Sequence, residues 1–213
     1  MKINKMSTLL SVRSAGILPV ICIRSDEELK TFLQSIENTP VHCVEITLRH
    51  EYALQAIVEI KRTVPDVIVG AGTVVSESML MQAIHAGADF CVSPGTDFSL
   101  LRLAREHNIP FIPGCATPSE IQNAEKEGLS LIKFFPAECA GGPAALKLYE
   151  GAFSNITFIP TGGITRENLR NYLKCPNVLA CGGSFMIPKD RLLQRDSASI
   201  RNEILQLCSI RGG

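Results

Sequence analysis

The sequence predicts an α/β fold, specifically a single-domain (β/α)8 TIM barrel over residues 1–213. Short apolar, β-branched segments recur eight times, at a spacing of about 20–26 residues that accommodates one strand, a turn and one helix per unit. Helix-start signals fall between the segments. Glycines and polar residues gather where the segments end, and in a parallel barrel that end carries the active site.

The strands are expected over 17–23, 43–47, 67–70, 90–93, 111–113, 131–134, 157–160 and 178–181. The apolar run 16–23 follows Arg13 as a signal peptide would, but it is short, contains Pro19 and stops at Arg24 without a small-residue cleavage site, so it reads as the first strand. Ser25 precedes Glu28 by three residues, a capping-box spacing. Thr117-Pro-Ser-Glu120 repeats that spacing with proline at the first helical position, and Thr165 opens Arg166-Glu-Asn-Leu169 in the same way. Met79, Ala83 and Ile84 recur at helical spacing and read as core filling.

At 46% hydrophobic and 20% charged residues, the chain can bury a substantial core, and no low-complexity linker divides it. Twenty-one basic residues balance twenty-one acidic ones, so the basic excess of a nucleic-acid binder is missing. No apolar run approaches the ~18 residues of a membrane span. The eight cysteines, at 22, 43, 91, 115, 139, 175, 181 and 208, form no CxxC pair and several lie in apolar runs. They read as buried thiols of a reduced, cytoplasmic protein.

Three groups of residues can carry chemistry. Lys133 stands inside the apolar strand Leu131-Ile-Lys-Phe-Phe-Pro136. Desolvation favours the free amine over the ammonium, and a free amine attacks a ketone to form a Schiff base. The competing reading is a strand-end lysine whose stem packs while its head reaches water. Glu45, Thr47 and Arg49 alternate at strand period two, so all three can face one pocket if the strand continues. A carboxylate there can move protons and an arginine can grip a substrate carboxylate, unless the two form a structural ion pair. Third, Thr161-Gly-Gly163 and Gly182-Gly-Ser184 end strands seven and eight, where glycine lets backbone amides approach a phosphate. No metal site is expected: His42, His50, His85 and His107 are scattered, and His50-Glu51 is not followed by a second histidine at position 54, which is leucine. Gly70-Ala-Gly-Thr-Val-Val lacks the third glycine of a dinucleotide fingerprint.

Glu45-Ile-Thr-Leu-Arg49, Val69-Gly-Ala-Gly-Thr73, Ser93-Pro-Gly95, Ile132-Lys-Phe-Phe-Pro-Ala-Glu138 and Pro160-Thr-Gly-Gly163 together resemble the 2-keto-3-deoxy-6-phosphogluconate aldolase and 4-hydroxy-2-oxoglutarate aldolase family. The resemblance spans about residues 19–184 in order along the chain. It implies a class I aldolase without metal or cofactor, which cleaves a phosphorylated keto acid to pyruvate and glyceraldehyde 3-phosphate in the Entner–Doudoroff pathway. It also implies a homotrimer. In that resemblance Lys133 is the Schiff-base lysine and Glu45 the general acid/base. Arg49 and Thr73 contact the pyruvyl carboxylate, and Pro94 and Phe135 line the pocket. Thr161 sits by the reacting aldehyde, and Gly162, Gly163 and Ser184 bind phosphate. One departure lies before strand two, where Thr39-Pro-Val-His-Cys-Val-Glu45 replaces a glycine-containing turn, and Pro40 is expected to supply the turn instead. The substrate alternatives are 4-hydroxy-2-oxoglutarate and a galactonate-derived epimer. A phosphosugar isomerase or epimerase, or a non-catalytic phosphosugar binder, would fit the same fold without an imine.

Overall fold

The computed structural model describes residues 12–212, so residues 1–11 and 213 of the expected domain lie outside the described residues. In chain order its elements begin α1 (Val12–Ala15), β1 (Ile17–Ile21), α2 (Asp26–Ile36), β2 (Cys43–Thr47), α3 (Ala53–Thr63) and β3 (Ile68–Gly72). They continue α4 (Glu77–His85), β4 (Phe90–Val92), α5 (Phe98–Glu106), β5 (Phe111–Ile112), β6 (Gly114–Cys115), α6 (Pro118–Lys126) and β7 (Leu131–Phe134). The chain then forms α7 (Gly142–Ala152), β8 (Thr157–Pro160), α8 (Arg166–Leu173), β9 (Cys181–Gly183), α9 (Lys189–Leu193) and α10 (Ser197–Gly212).

The strands form two parallel sheets, in the orders β5-β4-β3-β2-β1-β9 and β6-β7-β8. Strands two, six and seven of the sequence reading keep their expected bounds. The fifth does not: Pro113 divides it into β5, paired with β4, and β6, paired with β7. Proline has no N–H to give to a ladder, although its carbonyl still accepts from Lys133 N at 2.9 Å. The eighth strand is also displaced. Its expected start, Val178, makes only an isolated bridge to Phe158, and the ladder to β1 runs through Cys181–Gly183. A second isolated bridge joins Thr161 to Gly182. Two helices, not one, follow β9.

Local chemistry explains where the helices start. Ser25 accepts from Glu28 N at 3.3 Å, but the Glu28 carboxylate reaches back to Arg24 N (2.9 Å), so only half of the expected capping box forms there. At α6 the box is complete, with Thr117 Oγ1 accepting from Glu120 N and Glu120 Oε2 accepting from Thr117 N. At α8 Asn168 Oδ1 accepts from Thr165 N at 2.8 Å. The turn before β2 is not made by Pro40. Asn38 takes a left-handed conformation (φ 59°), and the Thr39 hydroxyl donates to Ile36 O (2.7 Å) and accepts from Val41 N (3.3 Å). Asparagine tolerates that conformation, so the missing glycine is replaced two residues earlier than the expected Pro40.

Strand alternation sorts the core into two clusters. Val44, Ile46, Ile132 and Phe134 face the helices. Cys43, Phe90, Val92, Ile112, Leu131 and Ile159 form a separate inner cluster with Val12 of α1. Side chains at i and i+2 of a strand share a face, so Glu45 lies on the Cys43 side of β2 and Lys133 on the Leu131 side of β7. No disulfide joins any of the eight cysteines. Among the described residues, no helix is long and apolar enough to cross a membrane.

Candidate active site

Above the inner cluster the strands bring two charged side chains together. Lys133 Nζ donates to Glu45 Oε1 at 3.2 Å, and the two residues are 6% and 1% exposed. They are 88 positions apart in the chain. Register aligns the layer, since Glu45 pairs with Gly70 on β3 and Lys133 with Gly114 on β6. A neighbouring glycine makes room: a Cβ on Gly72 would stand 2.2 Å from Glu45 Oε1. Lys133 Nζ also lies 5.4 Å from the centre of the Phe135 ring, within cation–π range. A buried lysine touching a single carboxylate beside an open space is suited to covalent and proton-transfer chemistry.

That space is a cavity of about 210 Å³. Glu45, Arg49, Lys133, Phe135, Thr161, Gly162, Gly163 and Ser184 all line it, as the sequence led one to expect. Thr73 and Pro94 do not. Thr73 stands just beyond β3 with its Oγ1 accepting from Arg49 Nε at 3.2 Å, so it holds the arginine by a side-chain hydrogen bond. Its φ of 63° is left-handed, a strained choice for a β-branched residue. Pro94 is half-buried, and its carbonyl occupies the space that a Cβ on Gly114 would need.

The far wall is made of backbone. Gly162 and Gly163 both have positive φ, 97° and 80°. The carbonyls of Thr161 and Gly162 accept from Ala137 N (2.9 Å) and Glu138 N (3.0 Å), while the N–H groups of Gly163 and Ile164 meet no backbone carbonyl among the described residues. Glycine is also required for close approach, since a Cβ on Gly182 would stand 2.4 Å from Thr161 Oγ1.

Sequence reasoning missed part of the lining. Val20, Ile21 and Cys22 at the end of β1 join the wall, as does Ile164, while Thr47 and Gly183 line it as their strand positions predicted. Strand period two already put Thr47 between Glu45 and Arg49, but its hydroxyl donates to Ile21 O at 3.2 Å and ties β2 to β1. The end of β1 carries no polar side chain to draw notice. His50, the first residue of the incomplete HExxH pattern, accepts from Tyr52 N through Nδ1 at 3.2 Å. No group of three or more His, Cys, Asp or Glu side chains that could hold a metal occurs among the described residues.

Residues 10–203 match the family model for KDPG and KHG aldolase. The chain is 42% identical over 192 residues to the KHG/KDPG aldolase of Escherichia coli, covering 90% of each protein. The KDPG aldolase of Legionella pneumophila, solved with pyruvate captured as a covalent carbinolamine, superposes with a TM-score of 0.89 at 34% identity, over 92% of this chain and 96% of that one. The 2-keto-3-deoxy-6-phosphogluconate aldolase of Zymomonas mobilis, solved with 3-phosphoglycerate, gives a TM-score of 0.83 at 35% identity, over 92% and 94% of the two chains. With the lysine–carboxylate pair and the glycine loops set in one cavity, these likenesses mean that the chain belongs to the KDPG and KHG aldolase family.

Proposed function

We propose that this protein is a class I aldolase that cleaves 2-keto-3-deoxy-6-phosphogluconate to pyruvate and glyceraldehyde 3-phosphate through an imine on Lys133. The observation that carries the reading is the buried Lys133–Glu45 contact at 3.2 Å, at the floor of a cavity whose opposite wall offers backbone amides. The Lys133 amine adds to the C2 ketone, and loss of water from the carbinolamine gives an iminium. The C4 hydroxyl then gives up its proton, the C3–C4 bond breaks, and its electron pair moves into the iminium to form an enamine. Glyceraldehyde 3-phosphate leaves with a new carbonyl at C4. Protonation of the enamine at C3 and hydrolysis release pyruvate and restore the amine. Among the described residues Glu45 is the one carboxylate touching Nζ, so it shuttles these protons with a water.

Arg49 pairs with the substrate carboxylate, supported by Thr73, and Thr161 borders the departing aldehyde. Gly162, Gly163 and Ser184 hold the phosphate, which favours the phosphorylated substrate over 4-hydroxy-2-oxoglutarate. Phe135 packs beside the lysine, and Pro94 shapes the pocket indirectly. The wider reading is a (β/α)8 barrel formed by residues 1–213 as one domain, closed where β6 continues β5 past Pro113 and where isolated bridges pair Phe158 of β8 with Val178, and Thr161 with Gly182 of β9. The bridges and the shared Pro113 support it. Family membership supports a cytoplasmic homotrimer acting in the Entner–Doudoroff pathway, and light scattering in solution tests the trimer. The decisive test of chemistry is intact mass after incubation with pyruvate and borohydride. A reduced pyruvyl adduct on Lys133 is expected, and its absence from folded protein would overturn the imine.

A further inference from the structure

The loop that faces the substrate's phosphate is held by three carbonyl anchors, and only one of them is a side chain. In a trans peptide the C=O and the following N–H point in opposite directions. The Thr161 and Gly162 carbonyls are tied to the backbone N–H groups of Ala137 and Glu138. The Gly163 carbonyl is tied to Asn168 Nδ2 at 3.0 Å. The N–H groups of Gly162, Gly163 and Ile164 are thereby turned to the other side, and all three residues line the cavity. Successive amides turned to one side of a glycine turn make a concavity for an anion.

Asn168 is itself held from two directions. Its Oδ1 accepts from Thr165 N, and its Nδ2 also donates to Glu138 Oε2 at 3.2 Å. A carboxylate can only accept, so Glu138 keeps the amide nitrogen, not the oxygen, toward Gly163. Tyr172 completes the chain, donating from its hydroxyl to the same Glu138 Oε2 at 2.6 Å. Tyr172 is fully buried. Burial, and then the bond to Glu138, push its phenol well above the ordinary range, so it remains a donor.

We propose that Asn168, Glu138 and Tyr172 are positioning residues for the substrate's phosphate: they orient the Gly163–Ile164 peptide and so set the preference for a phosphorylated over an unphosphorylated substrate. The inference rests on reading this cavity as the site of a phosphorylated keto acid. None of the three lines the cavity or touches Lys133, so imine formation should not depend on them.

The test uses the full chain and four variants, Asn168→Ala, Glu138→Ala, Glu138→Gln and Tyr172→Phe. Calorimetry measures binding of inorganic phosphate, and aldol addition of pyruvate to glyceraldehyde 3-phosphate is compared with addition to glyceraldehyde. Both alanine variants should weaken phosphate binding and raise KM for the phosphorylated aldehyde about tenfold, the scale of one hydrogen bond to a charged group. KM for glyceraldehyde and the pyruvate–borohydride adduct on Lys133 should not change. Glu138→Gln keeps an acceptor oxygen but adds a donor, so its effect should fall between the native protein and Glu138→Ala. Tyr172→Phe deletes one oxygen and should shift the same ratio by a smaller factor, which preserves the test if Asn168→Ala does not fold. Equal losses on both aldehydes, or no change on either, would overturn the proposal in favour of a purely structural network. Phosphate binding without a Lys133 adduct in the native protein would overturn the imine alone. An adduct without phosphate binding would overturn the phosphate loop and this inference with it.

Discussion

The two ends of the cavity are built from different materials. At the β2–β7 end, side chains do the work: Lys133 meets Glu45 at 3.2 Å, both buried, with Arg49 above them. At the β8–β9 end, the backbone does it, through Gly162, Gly163 and the amides their carbonyl anchors leave exposed. A side-chain site can be silenced by deleting one functional group, with little disturbance to the fold. A backbone site has no group to delete and fails only when its geometry is moved. The first end should therefore lose rate, and the second should lose affinity.

The largest expected effect is at Lys133. Lys133→Ala should abolish turnover and the borohydride-trapped adduct while the circular dichroism spectrum stays native. Residual turnover at the native rate would break the comparison at its root. Glu45→Gln should slow turnover by about 10²–10⁴, the usual range for a general acid–base group, with little change in KM in steady-state assays. Gly163→Ala should act at the other end. Its Cβ would lie 2.5 Å from Glu138 Cβ at a φ of 80°, so KM for the phosphorylated substrate should rise more than kcat falls, at a stability cost of about 1–3 kcal/mol. A pure kcat effect there would show that the two ends are not separable.

The smallest effect belongs to a helix cap that lines neither end. Thr117→Ala removes the hydroxyl that caps α6 and should lower stability by about 0.5–2 kcal/mol in denaturant unfolding, with activity unchanged. Glu120 in the same box has its carboxyl held below the ordinary range, first by the Ala116 N–H. Its folded value lies below its unfolded one, so its stabilisation is full above the unfolded value and is lost as pH falls through the folded one. Glu120→Gln should flatten the acid limb of the stability curve, and an unchanged limb would remove Glu120 from the account.

The same division explains what could be read in the sequence. A lysine in Leu131-Ile-Lys-Phe and a Glu–Thr–Arg alternation announce themselves, because charge in an apolar strand is chemically costly and strand period assigns the face. Glycine pairs announce a turn but not which way its amides point, and that direction depends on Glu138 and Asn168, which read as ordinary surface polar residues. Thr73 and Pro94 came from resemblance alone, and neither is among the residues that line the cavity. Strand bounds were legible at 43–47, 131–134 and 157–160. They failed at Pro113, where one missing N–H splits a strand, and at Val178, where the apolar run precedes its ladder.

Gly72 bears on how this chain can diverge. The volume that its missing methyl would fill is occupied by Glu45 Oε1, so interior packing and the carboxylate proposed to move protons share one parcel of space. A lineage that enlarges residue 72 must displace the carboxylate, and one that shortens residue 45 opens a void that a larger residue 72 could fill. Neither position is free to drift alone. They form a coupled pair, on neighbouring strands, in which a change of size at one is tolerated only with a change of reach at the other.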